Sequence, residues 1–358
     1  MMLMDPVRTG DLATPSPVLS GDAKGARGWD VLGQVPVPLR HRVRAGVEDL
    51  LRARALAGDP PLRVSLPLGQ GGRGPFERLA WIRDLDAYPR LLVSSAGANT
   101  FNRRFHARHV ETGAFEGAQP EGVAAPFVEA GLIDPKGWIG VYALAPYVLL
   151  IDHARLGPRP VPRRWADLME PCYQGQVVFS GWRPEGTRKW RAFNTFLLLC
   201  FALDHGREGV ARLVRNVPTL LHSTQMPRVA GTDASPGGIH VLPWAQASLC
   251  PRPATTSIVW PEDGALAYPL WLTRQRAHAR RVAALTDHFH GPALARILDE
   301  NLYPALCPGR APRLPAGARL RWPGWEAVRH PASARDLRAA CALFHEAAAG
   351  QGGPRPCA

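Results

Sequence analysis

Apolar residues at Val43, Val47, Leu50, Leu51 and Leu56 recur at steps of three and four, the spacing of one helix face. Gly58-Asp-Pro-Pro61 ends that helix, and residues 62–68 alternate roughly as a strand does. Arg90-Leu-Leu-Val-Ser-Ser95 reads as a short buried strand. A polar Ser/Gly/Asn loop follows, then a helix with Phe101, Phe105, His109 and Val110 on one face. Residues 137–151 read as a bent apolar strand pair containing Pro146. Residues 165–171 form a short helix ending at proline, and 175–181 a buried strand. A long helix runs from about 188 to 205 with Phe193, Phe196, Leu197, Cys200 and Phe201 on its apolar face. Gly206 caps it, and a second helix follows over 208–214. Strands at 239–242 and 257–260 precede helices at 277–290, 292–298 and 333–349. Strands and helices alternate through the middle of the chain, which implies an α/β fold with mainly parallel sheets.

Residues 1–30 are rich in Pro, Gly, Ser and Asp without periodicity and read as a flexible leader. Residues 31–87 form an N-terminal extension carrying the amphipathic helix, and 346–358 a flexible tail. No apolar run approaches the roughly 18–20 residues of a membrane helix, so membrane insertion is not expected. Residues 1–6 lack a basic stretch followed by an apolar one, so no secretory signal is read and the expected location is cytoplasmic. A start lying upstream would make it periplasmic.

Lys+Arg number 43 against 30 Asp+Glu, a net charge of +13, with only Lys24, Lys136 and Lys189 as lysines. The arginines are spread thinly. They read as a broad field attracting an anionic partner, or as solvated faces of an arginine-biased chain. No basic block with interleaved aromatics occurs, so nucleic acid is not an expected partner. The six cysteines are widely spaced without a CxxC, which argues against zinc knuckles, iron–sulfur clusters and thioredoxin-type sites.

Motif spacing leaves little room for other chemistry. Gly69-Gln-Gly-Gly-Arg-Gly74 lacks the GK[ST] of a phosphate-cradling loop and reads as a turn. His106 and His109 could share a helix face, but no carboxylate stands nearby to complete a metal site. Neither HExxH nor GxSxG occurs. No catalytic residue, metal site or cofactor is expected, and the chain is read as a binding protein rather than an enzyme. The loop at 94–100 is different. A strand, a polar loop and a helix leave backbone N–H groups that favour an anion or polar ligand, unless Asn99 or Thr100 simply caps the helix.

Trp165-Ala-Asp-Leu168, Pro171-Cys-Tyr173-Gln-Gly175 and Gln-Val-Val178 together are similar to a W-x-D-L-x-x-P-x-Y-x-G-x-V-V passage. That passage belongs to bacterial ABC-transporter substrate-binding proteins of the iron(III)/phosphonate type. The strand-loop-helix at 91–110, His222-Ser-Thr-Gln-Met226 with Gly231-Thr232, and Asp263-Gly-Ala-Leu-Ala-Tyr-Pro269 fit the same family in order. The resemblance covers about 88–345. It implies a two-lobed, periplasmic-binding-protein-like α/β fold (type II), each lobe a mainly parallel sheet flanked by helices. Lobe one would be 88–174 plus 256–345, and lobe two 175–255.

The implied function is capture of a small polar or anionic ligand, or a metal complex, in an inter-lobe cleft by hinge closure. The implied ligand-binding residues are Ser94, Ser95, Asn99, Thr100, Tyr142, Trp182, Arg183, Thr187, Thr224, Gln225 and Thr232. Ser94, Ser95, Asn99 and Thr100 would offer polar donors, and Arg183 a bidentate contact to an anion unless it is only an exposed loop charge. Thr187 and Thr224 would close from lobe two. Trp182 or Tyr142 would supply an apolar wall or cation–π surface, while Trp138 and Tyr142 equally suit packing. Iron-binding members use adjacent tyrosines, and no Tyr-Tyr pair occurs here. The expected partner is an ABC permease or a cytoplasmic protein, and the expected state is a monomer. The alternative is a cytoplasmic accessory protein that binds a protein or nucleic-acid partner through its Arg-rich surface.

Overall fold

The computed structural model describes residues 28–68, 75–95, 101–181 and 195–350. In chain order its main elements are β1 (Val31–Gly33), α1 (Arg40–Leu56), β2 (Val64–Ser65), β3 (Leu91–Ser94), β4 (Phe115–Glu116), β5 (Gly140–Asp152), β6 (Val177–Ser180), α2 (Thr195–Asn216), β7 (Thr219–Leu221), β8 (Ile239–Pro243), β9 (Thr256–Val259), β10 (Ala265–Gln275), α3 (Ala279–His290), α4 (Pro292–Glu300), β11 (Leu320–Arg321) and α5 (Pro331–Gly350). The chain packs as two compact units. Unit 1 is residues 1–117 and 272–288, and unit 2 is 118–271 and 289–358. These limits differ from the lobes expected from the sequence.

In unit 1, β1 lies between β2 and β3, parallel to both, with Val31 opposite Val64 and Leu91. The 31–87 segment is therefore not an appendage, because β1 and β2 are strands of the sheet. The described fold begins ahead of 31 as well, since Trp29 and Asp30 are buried. The sequence reading missed β1 because it is only three residues long, too short to display a period. Gly33 makes room for the Leu66 side chain, just past β2, which a Cβ there would strike. Parallel strands need a crossover, and α1 supplies it between β1 and β2. Val43 and Val47 bury its inner face, with Leu39 buried just ahead of it.

Tyr88 stacks on Phe101 at 5.3 Å and meets Phe115 edge-on at 5.5 Å. Below the strands, Asp30 accepts from Arg281 Nε at 2.6 Å, from the Arg63 backbone N–H at 2.8 Å and from Arg90. Burial alone would raise the Asp30 carboxyl, but these donors together hold it below its ordinary value.

In unit 2, β5 is one strand of 13 residues, all buried, and not the broken pair expected. Pro146 is tolerated because the run pairing with β8 begins one residue later, at Tyr147 opposite Pro243. β8 is antiparallel to β5 and parallel to β6, and β6 is parallel to β7. Over this sheet pack Leu197, Phe201 and Leu213 of α2, with Trp165, Leu168 and Phe344. α2 is two helical stretches that meet at Gly206, whose φ of 62° leaves the helical region, as the two helices read from the sequence on either side of that glycine require. α5 runs to Gly350, into the expected tail.

Candidate functional site

Ligands in open α/β sheets bind beyond the carboxyl ends of the strands. In unit 2 the register places the ends of β6, β7 and β8 together: Ser180 pairs with Leu221, and Tyr147 of β5 faces Pro243. The Gly181 N–H donates to the Leu221 carbonyl at 2.9 Å. Beyond β7 the chain turns tightly, the Gln225 N–H donating to the His222 carbonyl at 2.8 Å. His222 Nδ1 lies 2.7 Å from the Thr224 hydroxyl and accepts the Thr224 N–H at 3.3 Å. The turn therefore presents Thr224 half-buried and Gln225 exposed, as polar groups on a fixed frame.

Beyond β8, Trp244 packs edge-on to Trp260 at 5.5 Å. Next to it Gln246 is 9% exposed, and its Oε1 is buried with no hydrogen-bond partner. A buried acceptor without a donor costs free energy. The sequence reading passed over Gln246, although a glutamine three residues past a strand end and two after a tryptophan was visible in it.

Thr232 lies at the other end of the same sheet. The Gly231 N–H donates at 2.7 Å to Asp152, the last residue of β5, and the Thr232 hydroxyl donates to Val229 O at 2.7 Å. Thr232 lines a shallow pocket of about 410 Å³ with Ala154, Arg155, Gly231 and Asp233. The structure brings Thr224 and Gln225 together and separates them from Thr232 by the length of the strands. Near Thr232, His240 is fully buried, its Nε2 3.0 Å from Ser235 Oγ. Burial pulls its pKa down to about 4, against an opposing pull from Asp152.

Tyr142 is 2% exposed within β5, its ring edge-on to Phe289 at 5.3 Å. Burial pushes its phenol up, and its hydroxyl has no hydrogen-bond partner. Trp138 is structural. Asp134 accepts its backbone N–H at 3.0 Å, and the Arg329 guanidinium stacks 4.9 Å over its ring.

In unit 1 the β3 end carries Ser94, fully buried, and Ser95, half-buried. The Gln34 N–H donates to Val93 O at 2.9 Å, which sets the end of β1 beside them. Arg40, the first residue of α1, lies at this edge too. It is 6% exposed, with Nε donating to Val35 O at 3.2 Å and Nη1 to Leu68 O at 3.0 Å. Its position was legible: 40, 43 and 47 form one helical stripe, which places a guanidinium among apolar residues. Asn99, Thr100, Trp182, Arg183 and Thr187 lie outside the described residues.

Residues 86–331, more than half of the chain, match the family model for bacterial extracellular solute-binding proteins. The chain belongs to this family. No curated protein matches this solute-binding protein in sequence. Solved structures agree in fold. A Trichodesmium protein in complex with iron and citrate matches at TM-score 0.57 and 14% identity, over 88% of this chain and 99% of that one. Apo ferric ion-binding protein A of Pasteurella haemolytica matches at 0.59 and 12%, over 88% and 96%. A periplasmic binding protein from Actinobacillus pleuropneumoniae with fructose-6-phosphate bound matches at 0.56 and 12%, over 88% and 97%.

At 88% of this chain, these likenesses cover more than the 88–345 window read from the sequence. Among the described residues no three His, Cys, Asp or Glu side chains are grouped to hold a metal ion, and no helix is long and apolar enough to cross a membrane. Several of this solute-binding protein's arginines are paired at the surface, as Arg44 is with Glu48 at 2.9 Å and Arg276 with Glu116 at 2.9 Å.

Proposed function

We propose that this solute-binding protein captures a small polar or anionic solute for ABC-type uptake. Its ligand is held by the loops at the carboxyl ends of its strands, and its two lobes close on the ligand by a hinge. Membership of the extracellular solute-binding family supports capture, and supports action outside the cytoplasm in partnership with an ABC permease. The observation that carries the reading is the carboxyl edge of unit 2, where the His222–Gln225 turn and the unpartnered buried Oε1 of Gln246 stand on three parallel strands. A polar solute that donates to Gln246 would satisfy this acceptor. Relatives in fold that were solved with citrate and iron or with a sugar phosphate support a polar, charged solute.

In unit 2 the proposed ligand residues are Thr224 and Gln225, joined by Gln246. Ser94 and Ser95 are proposed on the family resemblance. Asn99, Thr100, Trp182, Arg183 and Thr187 are likewise proposed on that resemblance alone. Without an adjacent tyrosine pair or a described metal cluster, a bare ferric ion is a poorer candidate than an organic solute or anion.

The test is a thermal-shift screen of the full chain against phosphate, sulfate, citrate, sugar phosphates, neutral sugars and amino acids. A true ligand raises Tm with dose, because binding to the folded state at a hundredfold excess over Kd adds about 2.7 kcal/mol. A screen in which no member of any class raises Tm overturns the reading.

A further inference from the structure

The guanidinium of Arg40 lacks what a buried charge ordinarily has. At 6% exposure it makes no ion pair; its two hydrogen bonds go to the neutral carbonyls of Val35 and Leu68. Arginine carries five N–H donors in one plane, so three remain beyond these two bonds, including both on Nη2. Buried charges in proteins are paired, because desolvation without a counter-charge is costly. The position adds to that cost. Arg40 opens a 17-residue helix with no acidic residue in its first turn, and a helix N-terminus disfavours a cation. Segments 69–74 and 96–100, which follow β2 and β3 in sequence, contain no Asp or Glu.

The location gives the uncompensated charge a use. Val35 follows β1, Leu68 follows β2, and the end of β3 with Ser94 and Ser95 lies beside the end of β1. Arg40 therefore stands at the carboxyl edge of unit 1's parallel strands, and the two carbonyls fix the plane of its fork.

We infer that Arg40 is an anion-recognition residue, and that the solute carries a phosphate or carboxylate group which the free N–H donors of Arg40 bind in bidentate fashion. This rests on the solute-capture reading above and narrows it to oxyanion-bearing solutes. The planar fork matches both groups, and the charge that the empty protein leaves unpaired is neutralised on binding.

The experiment is calorimetric titration of the full chain with inorganic phosphate, citrate and fructose-6-phosphate in anion-poor buffer, with a neutral sugar as control. Wild type, Arg40→Met, Arg40→Lys and Arg52→Met are compared. Arg52, exposed on the same helix, controls for the change in net charge. Wild type binds at least one oxyanion probe. Arg40→Met loses about thirtyfold or more in affinity, Arg40→Lys recovers part of the loss, and Arg52→Met equals wild type.

A second readout separates recognition from support. With no anion present, Arg40→Met melts at or above the wild-type temperature, because it removes an unpaired buried charge. A lower Tm together with unchanged oxyanion affinity identifies Arg40 as a clamp on the two carbonyls and overturns the inference. Oxyanion binding that survives Arg40→Met also overturns it, as does a wild type that binds only the neutral sugar, and both leave solute capture intact. Binding of nothing in this titration or in the wider screen removes both readings.

Discussion

The Trp165 indole N–H donates to the carbonyl of Gly264 at 2.8 Å, joining residues 99 positions apart in the chain. The Trp165 backbone N–H also reaches Asp263 at 3.3 Å. Two of the passages that carry the family resemblance, the one opening at Trp165 and the one opening at Asp263, are thus bonded to each other. They brace unit 2 beneath Leu168 and Phe201 rather than forming a binding surface. Replacing Trp165 with Phe keeps most of the apolar volume and leaves the Gly264 carbonyl without its donor. Urea unfolding is expected to show a loss of about 1–3 kcal/mol, while affinity for the solute stays unchanged.

That bond explains what the sequence could reveal. Passages such as Trp165–Val178 are recognisable because one tryptophan, one aspartate and one glycine must meet in a fixed way, so they report the fold. Ligand contacts obey no such spacing, since they come together from separate strand ends. Thr224 and Thr232 stood in one recognisable passage, yet the chain between them runs from one end of the sheet to the other. Tyr142 sat in a plausible loop, and β5 buried it. Gln246 and Arg40 belonged to no motif, and their burial and hydrogen bonding show only in the fold. β1 and the continuity of β5 through Pro146 depend on neighbouring strands, which local pattern does not record.

The separation of the two threonines gives a direct comparison. Thr224→Ala is expected to weaken solute binding several-fold by removing the hydroxyl that orders the His222 turn. Thr232→Ala is expected to leave affinity within about twofold of wild type, because a lost surface hydrogen bond at the far end costs little. Calorimetry on the two variants decides it. Equal losses would place the ligand elsewhere.

Asp134 holds Arg329 through both carboxylate oxygens, at 2.7 and 2.6 Å, and accepts the N–H groups of Lys136, Trp138 and Ile139 at 3.0 Å each. This one side chain ties the start of β5 to the segment that leads into α5. Asp134→Ala leaves a guanidinium unpaired between Trp138 and Trp325 and three donors without an acceptor. The expected cost is about 3–5 kcal/mol by urea unfolding. A cost below about 1 kcal/mol would show that the pair is replaceable by water.

His240 sets a pH limit. Its folded pKa of about 4 lies below the ordinary histidine value of 6.5. Between these values the unfolded chain binds a proton that the folded chain refuses. The stability contribution is therefore complete above about pH 6.5 and is lost as pH falls toward 4. A shift of this size corresponds to about 3 kcal/mol at most. His205 and His288 are lowered by burial as well, so the comparison is with His240→Gln, which removes this one titration. Unfolding free energy measured from pH 7 to pH 4 is expected to fall less steeply in the variant. Parallel curves would show that His240 binds its proton equally well in the folded and unfolded chain.

The central claim is that this chain holds a polar solute, and native mass spectrometry of the full chain, purified gently from its own source, tests it most directly. The account predicts one small molecule per chain, bearing a phosphate or carboxylate group and leaving when the sample is washed with competing oxyanion. A bare mass, from protein whose Tm no solute in the screen can raise, would contradict it.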